Sequence, residues 1–311
     1  MALTENASGV FIISATPFTD DGQIDYASAD TLVDYYIGHG VTGMTILGLM
    51  GEAQKLTAEE SDAFMRHMID RVAGRVPVIV GVSNPDIDAL ARLGRAAMAA
   101  GAAGVMVAPA RGTQDVYAYF ADVFAALGPD VPVCLQDFPL TTGVQMSVDT
   151  FTRLVADFAQ LVMLKHEDWP GLNKITAIRG AGGRRVSILC GNGGMFLPEE
   201  VERGADGAMT GFAYPEMLVG VVELTKAGKN EAAHDLFDAY LPIVRLEQQQ
   251  GGAGLALRKE ILRRRGAIAS AALRQPGPSL SPEDHSELDR LIGRLERRLA
   301  GLGVAELGEV S

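Results

Sequence analysis

Lys165 is the residue of this 311-residue chain best suited to covalent chemistry. It follows the apolar run Leu161-Val162-Met163-Leu164 and precedes His166, Glu167 and Asp168. Four apolar residues without alternation predict a strand buried on both faces, as in a parallel sheet. A lysine at the end of such a strand is costly to desolvate unless it has a partner or a task. Desolvation lowers the pKa of an amine and frees its lone pair to attack a carbonyl and form a Schiff base. The same residues also suit a plainer arrangement, with Lys165 capping a strand rim or paired with Glu167.

The elements that would position Lys165 come in a regular order. Strand-like runs at 10–15, 43–47, 76–82, 104–108, 131–136, 161–165, 186–190 and 207–210 alternate with helical patterns. Those helices are expected at 25–40, from Thr57 onward, and at 86–100, 114–127, 147–158, 170–179, 198–203 and 215–227. Thr57 followed three residues later by Glu60 is a capping-box signature. Eight strand-then-helix units at spacings of about 25 to 30 residues suit right-handed βα crossovers. The fold class read from this is α/β, a closed (β/α)8 TIM barrel. The first strand lacks a following Gly-x-Gly-x-x-Gly, which weakens the dinucleotide-binding alternative. Residues 1–228 are expected to form the barrel, and 229–311 a C-terminal helical extension packed on it. Its helices fall at 231–249, 253–265 and 281–302, joined through Gln275-Pro276-Gly277-Pro278, with 303–311 loose. The basic run 259–265 reads as a solvated helix face.

Bulk properties exclude several function classes. A net charge of −12 argues against nucleic acid and gives no sign of an anionic membrane as partner. The 48% apolar and 21% charged composition suits a large core. No apolar run reaches a membrane span. The first eight residues lack the basic start and apolar centre of a signal peptide. Cys134 and Cys190 lie inside apolar runs without metal-type spacing, so a cytoplasmic chain without a structural disulfide is expected. His39, His67, His166, His234 and His285 are scattered, so no metal is expected.

In such barrels the reactive groups stand where strands end and βα loops begin. The second strand ends in Gly48-Leu49-Met50-Gly51-Glu52, whose exposed backbone N–H groups suit a carboxylate. Those of Met50 and Gly51 are the expected donors, with Arg111 after the fourth strand as an added charge partner. Gln136 and Asp137 end the fifth strand. Gln136 can orient a hydroxyl or a water but cannot titrate. Glu167, Asp137, Glu52 and His166, or a carboxylate of the substrate itself, are the available acids and bases. Gly191 of the run Gly191-Asn192-Gly193-Gly194 allows close approach to a substrate, and Met209 stands at the last strand end. The catalytic set read here is Lys165, Gln136 and Glu167. The substrate-facing set is Gly48, Leu49, Met50, Gly51, Arg111, Asp137, Gly191 and Met209.

The order of these pieces resembles the class I aldolase family of dihydrodipicolinate synthase and N-acetylneuraminate lyase. The resemblance rests on Thr16-Pro17-Phe18, Gly48-x-x-Gly51-Glu52, Pro139-x-x-x-Gly143 and, above all, Lys165. It implies a (β/α)8 barrel with extra C-terminal helices, and a homotetramer built as a dimer of dimers. It also implies that Lys165 forms a Schiff base with pyruvate or a related 2-oxo acid, with no other cofactor. The family's two hydroxyl residues are replaced by Leu49 and Met50, and its Tyr-Asn pair by Gln136-Asp137. Arg111 stands at the place of a second relay tyrosine, and Thr141 at that of the arginine reading a second substrate. Gln136-Asp137, Lys165-x-Glu167 and Gly207-Ala208-Met209-Thr210-Gly211 look more like the sugar-acid branch that includes 2-keto-3-deoxy-L-arabonate dehydratase. The expected function is thus a Schiff-base lyase of a 2-oxo acid, either a 2-keto-3-deoxy sugar acid dehydratase or a pyruvate-type aldolase. The alternatives are a condensation of pyruvate with an aldehyde, as in dihydrodipicolinate synthase, and a barrel that binds a 2-oxo acid without turnover.

Overall fold

The structure is a computed structural model that describes residues 2–169, 171–249 and 252–302. Eight parallel strands close into a barrel in chain order. They are β1 (Gly9–Ile13), β2 (Gly43–Ile46), β3 (Val78–Gly81), β4 (Gly104–Val107), β5 (Val133–Asp137), β6 (Leu161–His166), β7 (Ser187–Cys190) and β8 (Gly207–Ala208). β8 returns to pair with β1, through Gly9↔Gly207 and Val10↔Ala208. The expected (β/α)8 TIM barrel is what the chain forms. Strands this apolar are buried on both faces because helices cover the outside while side chains fill the inside. Phe11, Ile13, Ile79, Met106, Cys134, Met163, Leu189 and Met209 make the inner layers, and Leu3 packs with them. Leu3 also donates its N–H to Ala103 O at 2.8 Å, which fastens the N-terminal segment beneath β4.

One irregularity sets the chemistry. Val133 pairs with Leu161, but Cys134 pairs with Met163, so Val162 is an extra residue in β6. Such a bulge resets the alternation of side chains. Leu161 and Leu164 belong to the outer core, while Val162 and Met163 both join the inner one. From Met163 onward every second residue therefore faces the lumen, which turns Lys165 inward.

The Thr57 capping box forms as expected, with Thr57 accepting from Glu60 N and the Glu60 carboxylate accepting from Thr57 N. The expected helix start at Pro170 and the loose 303–311 segment lie outside the described residues. The described helix there is Leu172–Gly180. Three C-terminal helices, Asn230–Glu247, Ala253–Arg264 and Pro282–Gly301, share the barrel's outer core through residues such as Phe237, Ile243, Ile261 and Leu288. No helix among the described residues is long and apolar enough to cross a membrane.

The Ala253–Arg264 helix departs from expectation. Arg258 is 1% exposed and Lys259 fully buried, so the front of the 259–265 run is no solvated face. Arg258 is paired with Glu247 at 2.6 Å and Lys259 with Glu52 at 2.7 Å. Buried charges are tolerated when each has a hydrogen-bonded partner of opposite sign.

Candidate active site

Lys165 stands at the C-terminal end of β6, in register with Gln136 on β5. Its side chain is 8% exposed and its Nζ lies 3.2 Å from Glu167 Oε2. Gln136 Nε2 donates to the same oxygen at 2.6 Å. The three residues thus meet at one carboxylate oxygen, facing the lumen. Glu167 is fixed from several sides. Its N–H donates to Asp137 O at 2.9 Å, and its carbonyl accepts from Asn192 Nδ2 at 3.0 Å. Its second carboxylate oxygen lies 3.4 Å from the Asn192 N–H. A Cβ at Gly191 would come within 2.1 Å of Glu167 Cγ, so only glycine leaves room for this side chain. Asn192 itself has φ +47°, in the left-handed region that asparagine tolerates better than most residues. Nothing in its sequence setting pointed to Asn192 beyond its place at a strand end.

The loop after β2 is built to present backbone donors. Leu47 and Glu52 both have left-handed φ, at 54° and 55°, around a tight turn at Leu49–Gly51. Strain of this kind costs on the order of 1–3 kcal/mol per residue and persists only where the surroundings enforce it. Gly81 has no Cβ to meet Leu47 O, which would lie 2.3 Å from one. Thr16 Oγ1 donates to Gly51 O at 2.6 Å. The Gly51 N–H donates to Gly48 O at 3.0 Å, so the expected pair of free donors, Met50 and Gly51, is shifted by one residue. Within this turn the N–H groups of Leu49 and Met50 are the ones without an acceptor among the described residues. Leu49 is exposed, and Met50 packs on Leu255, Ala256 and Leu273. The Glu52 carboxylate is fully engaged by Lys259, Lys55 and the Arg274 N–H, so it is not a free base.

Asp137 and His166 are turned away from Lys165. Strand alternation sends Asp137 outward, where Oδ2 accepts from Lys174 Nζ at 2.6 Å. Lys174 also reaches Asp168 at 2.9 Å. Burial raises the Asp137 carboxyl to about 6 against the opposing pull of Lys174. Burial, aided by Lys174, lowers His166 to about 4, so its ring is neutral. His166 Nε2 lies 3.1 Å from Gly171 O. The pair supports the back of β5 and β6 instead of lining the lumen.

A cavity of about 780 Å³ opens over the ends of β2 to β5. Gly48, Met106 and Gln136 line its buried end, and Arg111, Tyr119 and Thr141 its outer part. Arg111 is exposed and donates to Thr141 O at 3.0 Å, so it stands at the cavity's edge and not beside Lys165. Met209 lies within the inner core, 3.9 Å from Cys134 Sγ, below the polar cluster. Tyr119, which the spacing did not suggest, faces this cavity with its hydroxyl 3.4 Å from Ala108 O. A smaller cavity of about 330 Å³ lies behind Gly191 and Asn192, over buried Glu200. Burial raises the Glu200 carboxyl to about 8. Both cysteines are buried and unpaired, and burial raises their thiols, that of Cys134 to about 12. Neither is poised as a nucleophile.

The description of the dihydrodipicolinate synthetase family matches residues 6–295. L-2-keto-3-deoxyarabonate dehydratase of Azospirillum brasilense is 31% identical over 301 residues, covering 94% of this chain and 96% of that protein. 4-Hydroxy-tetrahydrodipicolinate synthase of Kineococcus radiotolerans is 29% identical over 305 residues, covering 94% and 92%. The crystal structure of dihydrodipicolinate synthase from Rhodopseudomonas palustris superposes with a TM-score of 0.92 at 51% identity, covering 94% of this chain and 99% of that one. A closed barrel with an inward lysine on its sixth strand, matched over nearly its whole length, makes this chain a member of the dihydrodipicolinate synthetase family.

Proposed function

We propose that this protein is a Schiff-base-forming lyase that dehydrates a 2-keto-3-deoxy sugar acid, with Lys165 as the nucleophile. The observation that carries the reading is the cluster at one oxygen, with Glu167 Oε2 3.2 Å from Lys165 Nζ and 2.6 Å from Gln136 Nε2. Lys165 attacks C2 of the 2-oxo acid, and loss of water from the carbinolamine gives an iminium. The iminium is an electron sink: a proton leaves C3 and an enamine forms. The enamine pair then expels the C4 hydroxyl, which departs as water once protonated. Hydrolysis of the remaining iminium frees the lysine. Glu167 is within reach to accept the C3 proton and return it to the leaving hydroxyl, and Gln136 holds that carboxylate in place. The substrate carboxylate is read by the N–H groups of Leu49 and Met50, which replace the hydroxyls that the family carries there.

The similarity to the Azospirillum dehydratase supports the sugar-acid substrate. A second reading, condensation of pyruvate with an aldehyde, is favoured by the 51% identity to the Rhodopseudomonas structure. Gln136, Leu49 and Met50 speak against it, because none of them can relay protons as hydroxyl groups would.

Borohydride reduction in the presence of pyruvate and of 2-keto-3-deoxy-L-arabonate, read by mass spectrometry, tests the nucleophile. An adduct on wild type that is absent from Lys165→Ala is expected, and equal labelling of both proteins overturns the reading. Product analysis then divides the reactions, since a dehydratase gives a 2-oxo acid one water lighter and an aldolase releases pyruvate with an aldehyde. Labelling without turnover would mark a binding barrel.

A further inference from the structure

The loop that carries the Leu49 and Met50 N–H groups does not hold itself. Its strained end residue, Glu52, is 1% exposed, and its carboxylate reaches into the C-terminal layer. Oε1 accepts from Lys259 Nζ at 2.7 Å, and Oε2 accepts from Lys55 Nζ at 3.0 Å and from the Arg274 N–H at 3.1 Å. Lys259 in turn donates to Ala272 O at 2.9 Å and lies over the Phe18 ring at 4.4 Å. Lys55 donates to Arg274 O at 2.8 Å, and Arg274 is paired with Glu60 at 2.8 Å. Met50 completes the contact by packing on Leu255, Ala256 and Leu273.

Two consequences follow from this wiring. The left-handed conformation of Glu52 is enforced by a partner more than two hundred residues away in the chain. Charge around Glu52 is also unbalanced: one carboxylate meets the ammonium groups of both Lys55 and Lys259, while Arg274 is matched by Glu60. The described charges around Glu52 therefore sum to a net positive beside the turn. That sign favours an anion on the turn.

We infer that Lys259 is a positioning residue for the substrate carboxylate, acting from the C-terminal helical layer through Glu52 to hold the turn that aims the Leu49 and Met50 N–H groups. This rests on the Lys165 reading above. It gives the C-terminal layer a part in recognition of the 2-oxo acid, besides its packing. A purely structural lysine would lower stability and leave binding alone.

The test titrates pyruvate against full-length protein and measures the borohydride-trapped adduct on Lys165. In Lys259→Met, half-maximal labelling is expected to need about tenfold more pyruvate, as for loss of a charge-supported contact, with maximal labelling unchanged. Lys259→Arg is expected to recover part of the loss. Arg265→Gln breaks another ion pair of the same layer, with Glu216 at 2.8 Å, which among the described residues makes no bond to the loop, and it is expected to keep the wild-type value. If Lys259→Met does not fold, the double variant Glu52→Gln/Lys259→Met decides, because it removes the buried carboxylate together with the buried ammonium. Its half-saturation is expected to rise as well. Unchanged half-saturation, or an equal rise in Arg265→Gln, overturns the inference alone. Absence of any wild-type adduct overturns the Lys165 reading and this inference with it.

Discussion

Glu167 is the side chain on which the proposed chemistry turns, because among the described residues it is the carboxylate in contact with Lys165. Glu167→Gln keeps the shape and most hydrogen bonds but cannot exchange a proton. It is expected to lower kcat by roughly 10²- to 10⁴-fold, the usual worth of a general acid or base, with a much smaller change in KM. Steady-state kinetics on the identified substrate check this, and an unchanged kcat would assign the proton transfer elsewhere. Glu200 makes a prediction about stability. Its carboxyl is raised from 4.5 to about 8, first by burial. Between those values the folded state keeps a proton that the unfolded state gives up. The contribution of Glu200 is thus fully present below pH 4.5 and is lost as the pH rises through 8. Wild type should therefore lose stability relative to Glu200→Gln over this window, by at most about 1.4 kcal/mol per pH unit. Urea unfolding of both proteins at pH 5 and pH 8 measures the difference, and parallel behaviour would show that Glu200 is not held neutral.

At the scale of elements, the site depends on two departures from regular strand geometry. The first is the extra residue Val162 in β6, which brings Met163 and Lys165 to the lumen. The second is the left-handed turn between Leu47 and Glu52, which needs an empty position at Gly81 on the neighbouring β3. Gly81→Ala would set a Cβ 2.3 Å from Leu47 O, a backbone atom that cannot swing aside. The expected cost is about 2 kcal/mol or more, as for other forced backbone shifts. Weaker pyruvate labelling is expected alongside, since the turn would move. Thermal unfolding and the borohydride titration report these separately, and a variant that is wild type in both would show that the turn tolerates a shift.

Across the whole molecule, the C-terminal helices are part of the barrel's core. They supply Arg258 to Glu247 and Lys259 to Glu52, and they share the outer apolar cluster. A chain ended after residue 252 would take those partners from both glutamates. Breaking a buried pair from one side typically costs about 3–5 kcal/mol, and two such losses approach the total stability of many domains. Such a truncation is expected to show no cooperative thermal transition by circular dichroism. A sharp transition near that of the full chain would instead mark the barrel as self-sufficient.

Much of the architecture was legible in the sequence, because alternating strand and helix patterns leave few topologies once crossovers must be right-handed. Position 165 was legible for the same reason: an apolar run that ends in a lysine locates a strand end. Lys165 and Glu167 lie two apart, so any strand would set them on one face. Which face that is depended on the bulge at Val162, where four apolar residues in a row carry no mark of the extra one. The free donors of the β2 loop moved from Met50 and Gly51 to Leu49 and Met50 because the turn's own hydrogen bond uses Gly51. Asp137 left the expected substrate-facing side because alternation sets it opposite to Gln136 on β5, where Lys174, remote in sequence, meets it. Lys259 looked like one more surface cation. Local pattern fixes periodicity and strand ends, whereas burial and pairing of charges arise between segments far apart in the chain, and only the closed fold brings those together.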